Sequence, residues 1–96
     1  MKKKSKILVV DDDPKALILM EAMLKSHGYA PVLINDCRAA LQTAIKERPD
    51  LILLDVMMPV SDGYTILKKI RQEETIKNTH VIMVKALDLD SHKVIA

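Results

Sequence analysis

The sequence contains no tryptophan, no phenylalanine and only two tyrosines among its 96 residues. Single-stranded nucleic acid is commonly held by stacking on aromatic side chains, so no nucleic-acid partner is expected for this chain. The lysines near the N-terminus are interpreted instead as a solvated segment ahead of the first strand. They are Lys2, Lys3, Lys4 and Lys6.

Cysteine occurs once, as Cys37, and long apolar runs are absent. A single cysteine excludes an intramolecular disulfide and suits a reducing, cytoplasmic setting.

The apolar stretch that follows the first lysines, Ile7 to Val10, is four residues long and is followed by three aspartates. An export signal needs about 7–15 apolar residues and a membrane span needs about 20. We therefore expect neither a signal peptide nor a membrane partner.

Apolar residues are nevertheless abundant, at 49% of the chain, which is enough for the core of one small domain over residues 1–96. Short apolar runs predict strands over residues 6–10, 29–34, 51–55 and 80–84. Helical periodicity predicts helices over about 14–26 and 37–47. A third helix is predicted to start at residues 62–63, and residues 88–96 are predicted to form the first turns of a fourth. The predicted inward stripe of the first helix comprises Leu17, Met20, Met23 and Leu24.

Local signals support these boundaries. Asp13-Pro14 is typical of a helix start, and Gly28 is typical of the position just beyond a helix end. Pro31 predicts that the second strand lies at a sheet edge. Because strands alternate with helices, the sequence predicts an α/β fold with a doubly wound parallel sheet.

Acidic residues stand at the carboxyl ends of two predicted strands, as Asp11-Asp12-Asp13 and as Asp55, while Lys85 follows the fourth strand. Functional sites of open α/β sheets lie at this edge. Two carboxylates about 4 Å apart repel by about 4 kcal/mol at an effective dielectric constant near 20, so a cation is expected beside them. Oxygen-only ligands suit Mg²⁺, which often links carboxylates to a phosphoryl group.

Two sequence blocks, residues 7–14 and 49–63, carry the resemblance that this pattern suggests. The chain resembles the receiver domain of two-component response regulators over essentially its whole length. The resemblance implies a flavodoxin-like receiver fold in which Asp55 accepts a phosphoryl group. It also implies that Asp11 and Asp12 bind Mg²⁺ together with Asp55.

The same resemblance implies roles for the loop that follows Asp55. Met57 would offer Mg²⁺ its backbone carbonyl, and Pro59 and Gly63 would shape the approach of the phosphoryl group. The implied partner is a histidine kinase or a phosphotransfer protein. The implied chemistry is limited to self-phosphorylation and self-dephosphorylation, so the chain is not expected to be an enzyme.

Two departures from the family pattern stand out. Lys85 occupies the position of the family's Thr or Ser, whose hydroxyl binds a phosphoryl oxygen. The ammonium of Lys85 could replace the family's later lysine, could pair with unphosphorylated Asp55, or could simply point to solvent. The family's fifth strand and fifth helix are missing up to Ala96, so we expect four strands, an exposed fourth strand, and self-association as a dimer through it. The alternative is that the chain is a fragment of a longer gene product.

Two alternative functions remain open from the sequence. One is a receiver-like protein-interaction module that phosphorylation no longer controls, because the fifth strand is missing and Lys85 replaces the hydroxyl residue. The other is an aspartyl-phosphate phosphohydrolase, since Asp11-x-Asp13 after a strand resembles that superfamily's nucleophile motif. Lys15 stands where Thr or Val is expected in such enzymes, and the chain is too short for their later motifs.

Overall fold

The structure of the chain, a computed structural model, describes residues 4–55 and 63–84. These residues form alternating strands and helices, as the sequence predicted. The elements are β1 Lys6–Val10, α1 Pro14–Ser26, β2 Ala30–Ile34, α2 Cys37–Glu47, β3 Leu51–Asp55, α3 Gly63–Gln72 and β4 His80–Val84. The helix predicted over 88–96 lies outside the described residues.

The four strands form one parallel sheet in the order β2-β1-β3-β4. Pro31 is therefore in an edge strand, as predicted, while the two most deeply buried strands, β1 and β3, are central. Val10 lies in register with Ile34 on one side and Leu54 on the other. Because all strands run in the same direction, their carboxyl ends meet at one edge of the sheet.

Helices cover both faces of this sheet. One face packs against α2 and α3, and its buried residues among those described are Leu8, Val10, Ala40, Ala44, Ile52, Leu54, Ile66, Ile70 and Ile76. The other face packs against α1 and buries Ile7, Val9, Leu17 and Leu53. The alternating side chains of β1 and β3 thus serve two separate apolar layers. None of the described helices is long and apolar enough to cross a membrane.

The ends of α1 follow the predicted signals. The side chain of Asp13 accepts a hydrogen bond from the backbone N–H of Lys15, and Pro14 opens the helix. Gly28 follows the helix with a φ of 85°, a conformation that glycine adopts without a steric penalty.

Two predictions for this region were wrong in detail. Strand β2 begins at Ala30 rather than at Tyr29, because the N–H of Tyr29 still bonds to the carbonyl of Leu24 at the helix end. Met23 was predicted to face inward but is 48% exposed. The side of α1 that packs on the sheet carries Leu17, Met20 and Leu24.

Candidate functional site

Three carboxylates converge at the carboxyl edge of the sheet. Asp11, Asp12 and Asp55 each present an oxygen atom, and these atoms lie within 4.8 Å of one another. Asp11 is 4% exposed and Asp55 is fully buried, whereas Asp12 is exposed. The cluster is therefore buried at Asp11 and Asp55 and open to solvent at Asp12.

The sheet itself places the two buried members. Asp55 is the last residue of β3 and lies in register with Val84. Asp11 directly follows β1, and its backbone N–H bonds to the carbonyl of Ile34 at 3.0 Å, which continues the pairing of β1 with β2. Because β1 and β3 are neighbours, Asp11 and Asp55 are held side by side.

A local turn fixes the orientation of the Asp11 carboxylate. Its Oδ1 accepts a hydrogen bond of 2.9 Å from the backbone N–H of Asp13. This contact is typical of aspartate in a turn, and it was not among the predicted features of the sequence. The Asp-x-Asp spacing before Pro14 was the available signal. Asp13 itself caps α1, as predicted, and is outside the carboxylate cluster.

The cluster has the electrostatics of a cation site. Carboxylate oxygens 4.8 Å apart repel by about 3–4 kcal/mol per pair at an effective dielectric constant near 20. A divalent cation between them would reverse the sign of that interaction. The ligand atoms are all oxygens and one side is open, which fits Mg²⁺ because this ion usually keeps several waters.

Asp36 is another aspartate near this edge, and its side chain has partners of its own. Asp36, two residues beyond β2, caps α2 through the N–H of Arg38 and also pairs with the Arg38 side chain at 3.1 Å. The hydrogen bond from this guanidinium holds the pKa of Asp36 below its usual range. Asp36 is thus committed to the start of α2 and does not join the three-carboxylate cluster.

The remaining predicted site residues, Met57 and Lys85, lie outside the described residues, as does Pro59. The structure nevertheless describes the residue before Lys85. Val84 ends β4 and is the register partner of Asp55.

Comparison with known proteins identifies the family of this chain. The sequence model of the response regulator receiver domain matches residues 7–96. The chain belongs to this family. It is thus a receiver domain of the two-component system type, with the flavodoxin-like fold predicted from its sequence.

Curated relatives of this receiver domain are longer proteins. The chain is 40% identical over 84 residues to the response regulator PleD of Caulobacter vibrioides, covering 88% of the chain and 18% of PleD. It is 39% identical over 90 residues to the alkaline phosphatase synthesis transcriptional regulatory protein PhoP of Bacillus subtilis, covering 94% of the chain and 37% of PhoP. The chain therefore spans well under half the length of these relatives.

Solved structures give the same fold. The receiver domain of the sensor histidine kinase PA1611 from Pseudomonas aeruginosa PAO1 has a TM-score of 0.82 and 36% identity, covering 94% of this chain and 75% of that one. That structure has a magnesium ion coordinated in its active site cleft. The chemotaxis response regulator CheY4 of Vibrio cholerae has a TM-score of 0.80 and 34% identity, covering 84% of this chain and 68% of that one.

Proposed function

We propose that this receiver domain is a phosphorylation-controlled signalling module in which Asp55 accepts a phosphoryl group beside Mg²⁺. The observation that carries the proposal is the approach of Asp11, Asp12 and Asp55 to within 4.8 Å at one edge of a parallel sheet. The proposed ion ligands are these three carboxylates and the backbone carbonyl of Met57. The magnesium ion in the related receiver domain of PA1611 supports this assignment.

The proposed reaction is a transfer of one phosphoryl group to a carboxylate. An oxygen of Asp55 forms a bond to phosphorus while the bond from phosphorus to the donor breaks, and the donor keeps that electron pair. The product is an aspartyl phosphate. When bound, Mg²⁺ would offset the negative charge of the phosphoryl oxygens and of the clustered carboxylates.

The chain's own residues prepare the acceptor. Burial at the end of β3 fixes Asp55 in one position, and the turn formed by Asp11 and Asp13 holds the neighbouring carboxylate in place. The exposed side at Asp12 leaves an approach for the donor. The proposed donor is a histidine kinase or a phosphotransfer protein in the cytoplasm, or a small molecule such as acetyl phosphate.

The deciding experiment is mass spectrometry after incubation with acetyl phosphate and Mg²⁺. We expect one added phosphoryl group in the unmodified chain and none in Asp55→Asn. Asp12→Asn keeps the acceptor but loses an exposed ion ligand, so it should be labelled more slowly. Equal labelling of the unmodified chain and of Asp55→Asn would contradict the assignment of Asp55.

Lys85 is proposed to act on the same site. Because it directly follows Val84, the register partner of Asp55, the two proposed roles for its ammonium are to bind a phosphoryl oxygen or to pair with the unphosphorylated carboxylate. In both cases Lys85→Thr should change the rate of labelling by acetyl phosphate. An unchanged rate would remove both roles.

The alternative proposal is a receiver-like interaction module that no longer switches. Lys85 favours it, because an ammonium replaces the hydroxyl that the family's switch uses. The two proposals differ in their response to beryllofluoride with Mg²⁺, which mimics the phosphoryl group. A switching module would show altered backbone amide signals in NMR well beyond Asp55, whereas a non-switching module would show none beyond the residues that contact the ligand.

A further inference from the structure

An open cleft lies at the amino edge of the sheet, at the opposite end from the carboxylate cluster. It forms where the start of β1 passes the turn between α2 and β3, and its volume is about 390 Å³. Ligand sites usually measure about 300–1,000 Å³, so this amino-edge cleft has room for a small molecule. The residues that line it are Lys4, Ser5, Lys6, Glu47, Arg48 and Asp50.

The two carboxylates of the amino-edge cleft are already bound within the chain. Oε1 of Glu47 accepts a hydrogen bond of 2.9 Å from the ammonium of Lys6, which also donates to the backbone carbonyl of Glu47 at the end of α2. Oδ2 of Asp50 accepts a hydrogen bond of 2.8 Å from the backbone N–H of Lys6. The Lys6 ammonium therefore offsets the negative charge of Glu47 and of the helix end.

Two cations of the cleft have no such partner. Within residues 4–55 and 63–84, neither Lys4 nor Arg48 forms an ion pair, and both are exposed. The lining contains three cationic side chains and two carboxylates, which leaves an excess of one positive charge. An anion can thus bind to Lys4 and Arg48 without breaking an existing ion pair.

The backbone of Arg48 supports a role for its side chain. Its φ of 47° makes it the one residue other than glycine with a positive φ in the part of the chain that the structure describes. Glycine would adopt this conformation without the steric cost of a Cβ atom. Strained residues are concentrated at sites that bind ligands. A guanidinium that serves the cleft gives a physical reason for an arginine at this position.

We propose that the amino-edge cleft binds the phosphate group of a small phosphate monoester. Such a group carries about −1.5 to −2 charges near neutral pH and has three acceptor oxygens, which matches two free cations. The Arg48 guanidinium can donate two parallel hydrogen bonds to it, and the Lys4 ammonium adds a point charge. The hydroxyl of Ser5 is a further donor in the lining.

An NMR titration with glycerol phosphate tests the binding, in EDTA and at mildly alkaline pH. The backbone amide signals of the cleft residues should shift and reach saturation, while those of the carboxylate cluster stay in place. Dimethyl phosphate carries a single negative charge, like the phosphodiesters of nucleic acids, and should bind more weakly at the same ionic strength. Shifts that do not saturate, shifts centred on the carboxylate cluster, or a preference for dimethyl phosphate would overturn the proposal.

Substitution of Arg48 tests the assignment of the site. Arg48→Gln removes the charge and keeps the Cβ atom, so it should weaken the binding of glycerol phosphate by about tenfold or more. Lys46→Gln is the matched control, because it removes the same charge from an exposed position of α2 outside the cleft lining. It should bind like the unmodified chain, and equal weakening in both variants would overturn the proposal. Asp55→Asn should bind with unchanged affinity, which separates this test from that of the phosphoryl acceptor.

Discussion

Arg48 ends α2 in the left-handed region, with a φ of 47° and its N–H bonded to the carbonyl of Ala44. A residue with a Cβ atom is strained there by about 1–2 kcal/mol, which glycine avoids. Part of that gain is offset because glycine makes the unfolded chain more flexible. We therefore expect Arg48→Gly to raise the free energy of unfolding by about 0.5–1 kcal/mol, measured by urea denaturation.

Arg48→Ala is the matched control, because it removes the same charge and keeps the Cβ atom. It should leave the urea midpoint unchanged or lower it slightly. Equal stabilisation by alanine and glycine would mean that the guanidinium, and not the backbone conformation, limits stability at this position.

Also at the residue scale, the proposed ion ligands predict a dependence of stability on Mg²⁺. At ten times its dissociation constant, an ion that binds only the folded state adds about 1.4 kcal/mol, or roughly 5–10 °C in Tm for a domain of this size. Asp12→Asn should lose most of this shift and yet stay folded, because Asp12 is exposed. Glu74→Gln is the control, because Glu74 precedes the amino end of β4 and the carboxylate cluster lies at the carboxyl edge of the sheet. This variant should keep the full shift in Tm. Thermal denaturation with EDTA or Mg²⁺ measures both, and equal shifts in the two variants would argue against Asp12 as a ligand.

At the element scale, a group of hydrogen bonds at the amino edge of the sheet ties the start of β1 to the turn between α2 and β3. The backbone N–H of Lys6 donates to Oδ2 of Asp50 at 2.8 Å, and the N–H of Asp50 donates to the carbonyl of Lys6 at 2.8 Å. The Lys6 ammonium donates to Oε1 and to the backbone carbonyl of Glu47. A cation at a helix C-terminus is favourable, because the last carbonyls are otherwise unpaired.

This arrangement predicts a dependence of stability on pH. The hydrogen bond from Lys6 lowers the pKa of Glu47 from its ordinary 4.5. A carboxyl group with a lowered pKa in the folded state stabilises the fold fully above its unfolded pKa, and this contribution is lost as the pH falls through the folded pKa. Urea midpoints of the unmodified chain, Lys6→Met, Glu47→Gln and the double variant should therefore show coupling at neutral pH. The coupling should disappear well below pH 4.5. Coupling that persists there would mean that packing of the side chains, and not the ion pair, joins the two residues.

Most of the strands and helices could be predicted from the sequence alone. Runs such as Leu51–Asp55 are short, apolar and bounded by turn residues, so their assignment as strands needs no knowledge of the tertiary structure. The segment between α3 and β4 differs. It is held by Arg71, whose guanidinium donates to the carbonyls of Lys77 and Thr79, and it buries Ile76. No periodicity encodes such contacts between separate parts of the chain.

The candidate site was predictable for a related reason. Aspartates at the ends of adjacent parallel strands must meet at one edge, so the meeting of Asp11 and Asp55 follows from topology. The sequence does not determine which of the consecutive aspartates is buried. That depends on the turn after β1, in which Asp11 points inward and Asp12 faces solvent.

At the scale of the whole molecule, the two apolar layers differ in size. Among the described residues, the layer under α2 and α3 has more buried members than the layer under α1. Neighbouring residues of β3 point into different layers. Leu54 is fully buried on the larger side, and Leu53 is 8% exposed on the smaller side. A cavity in the larger layer should cost more, because more surrounding atoms lose contacts and fewer can move to fill the space.

We therefore expect Leu54→Ala to lower the free energy of unfolding by about 4 kcal/mol, near the upper part of the usual range for buried leucine, and Leu53→Ala by about 2 kcal/mol. Domains of this size unfold with about 5–15 kcal/mol, so Leu54→Ala should leave a visibly unfolded fraction at moderate temperature. Urea denaturation followed by circular dichroism measures both variants under the same conditions. The two substitutions are chemically identical and lie at adjacent positions of one strand, which removes differences in strand propensity or chain position. Equal losses would show that the layer under α1 is packed as tightly as the layer under α2 and α3.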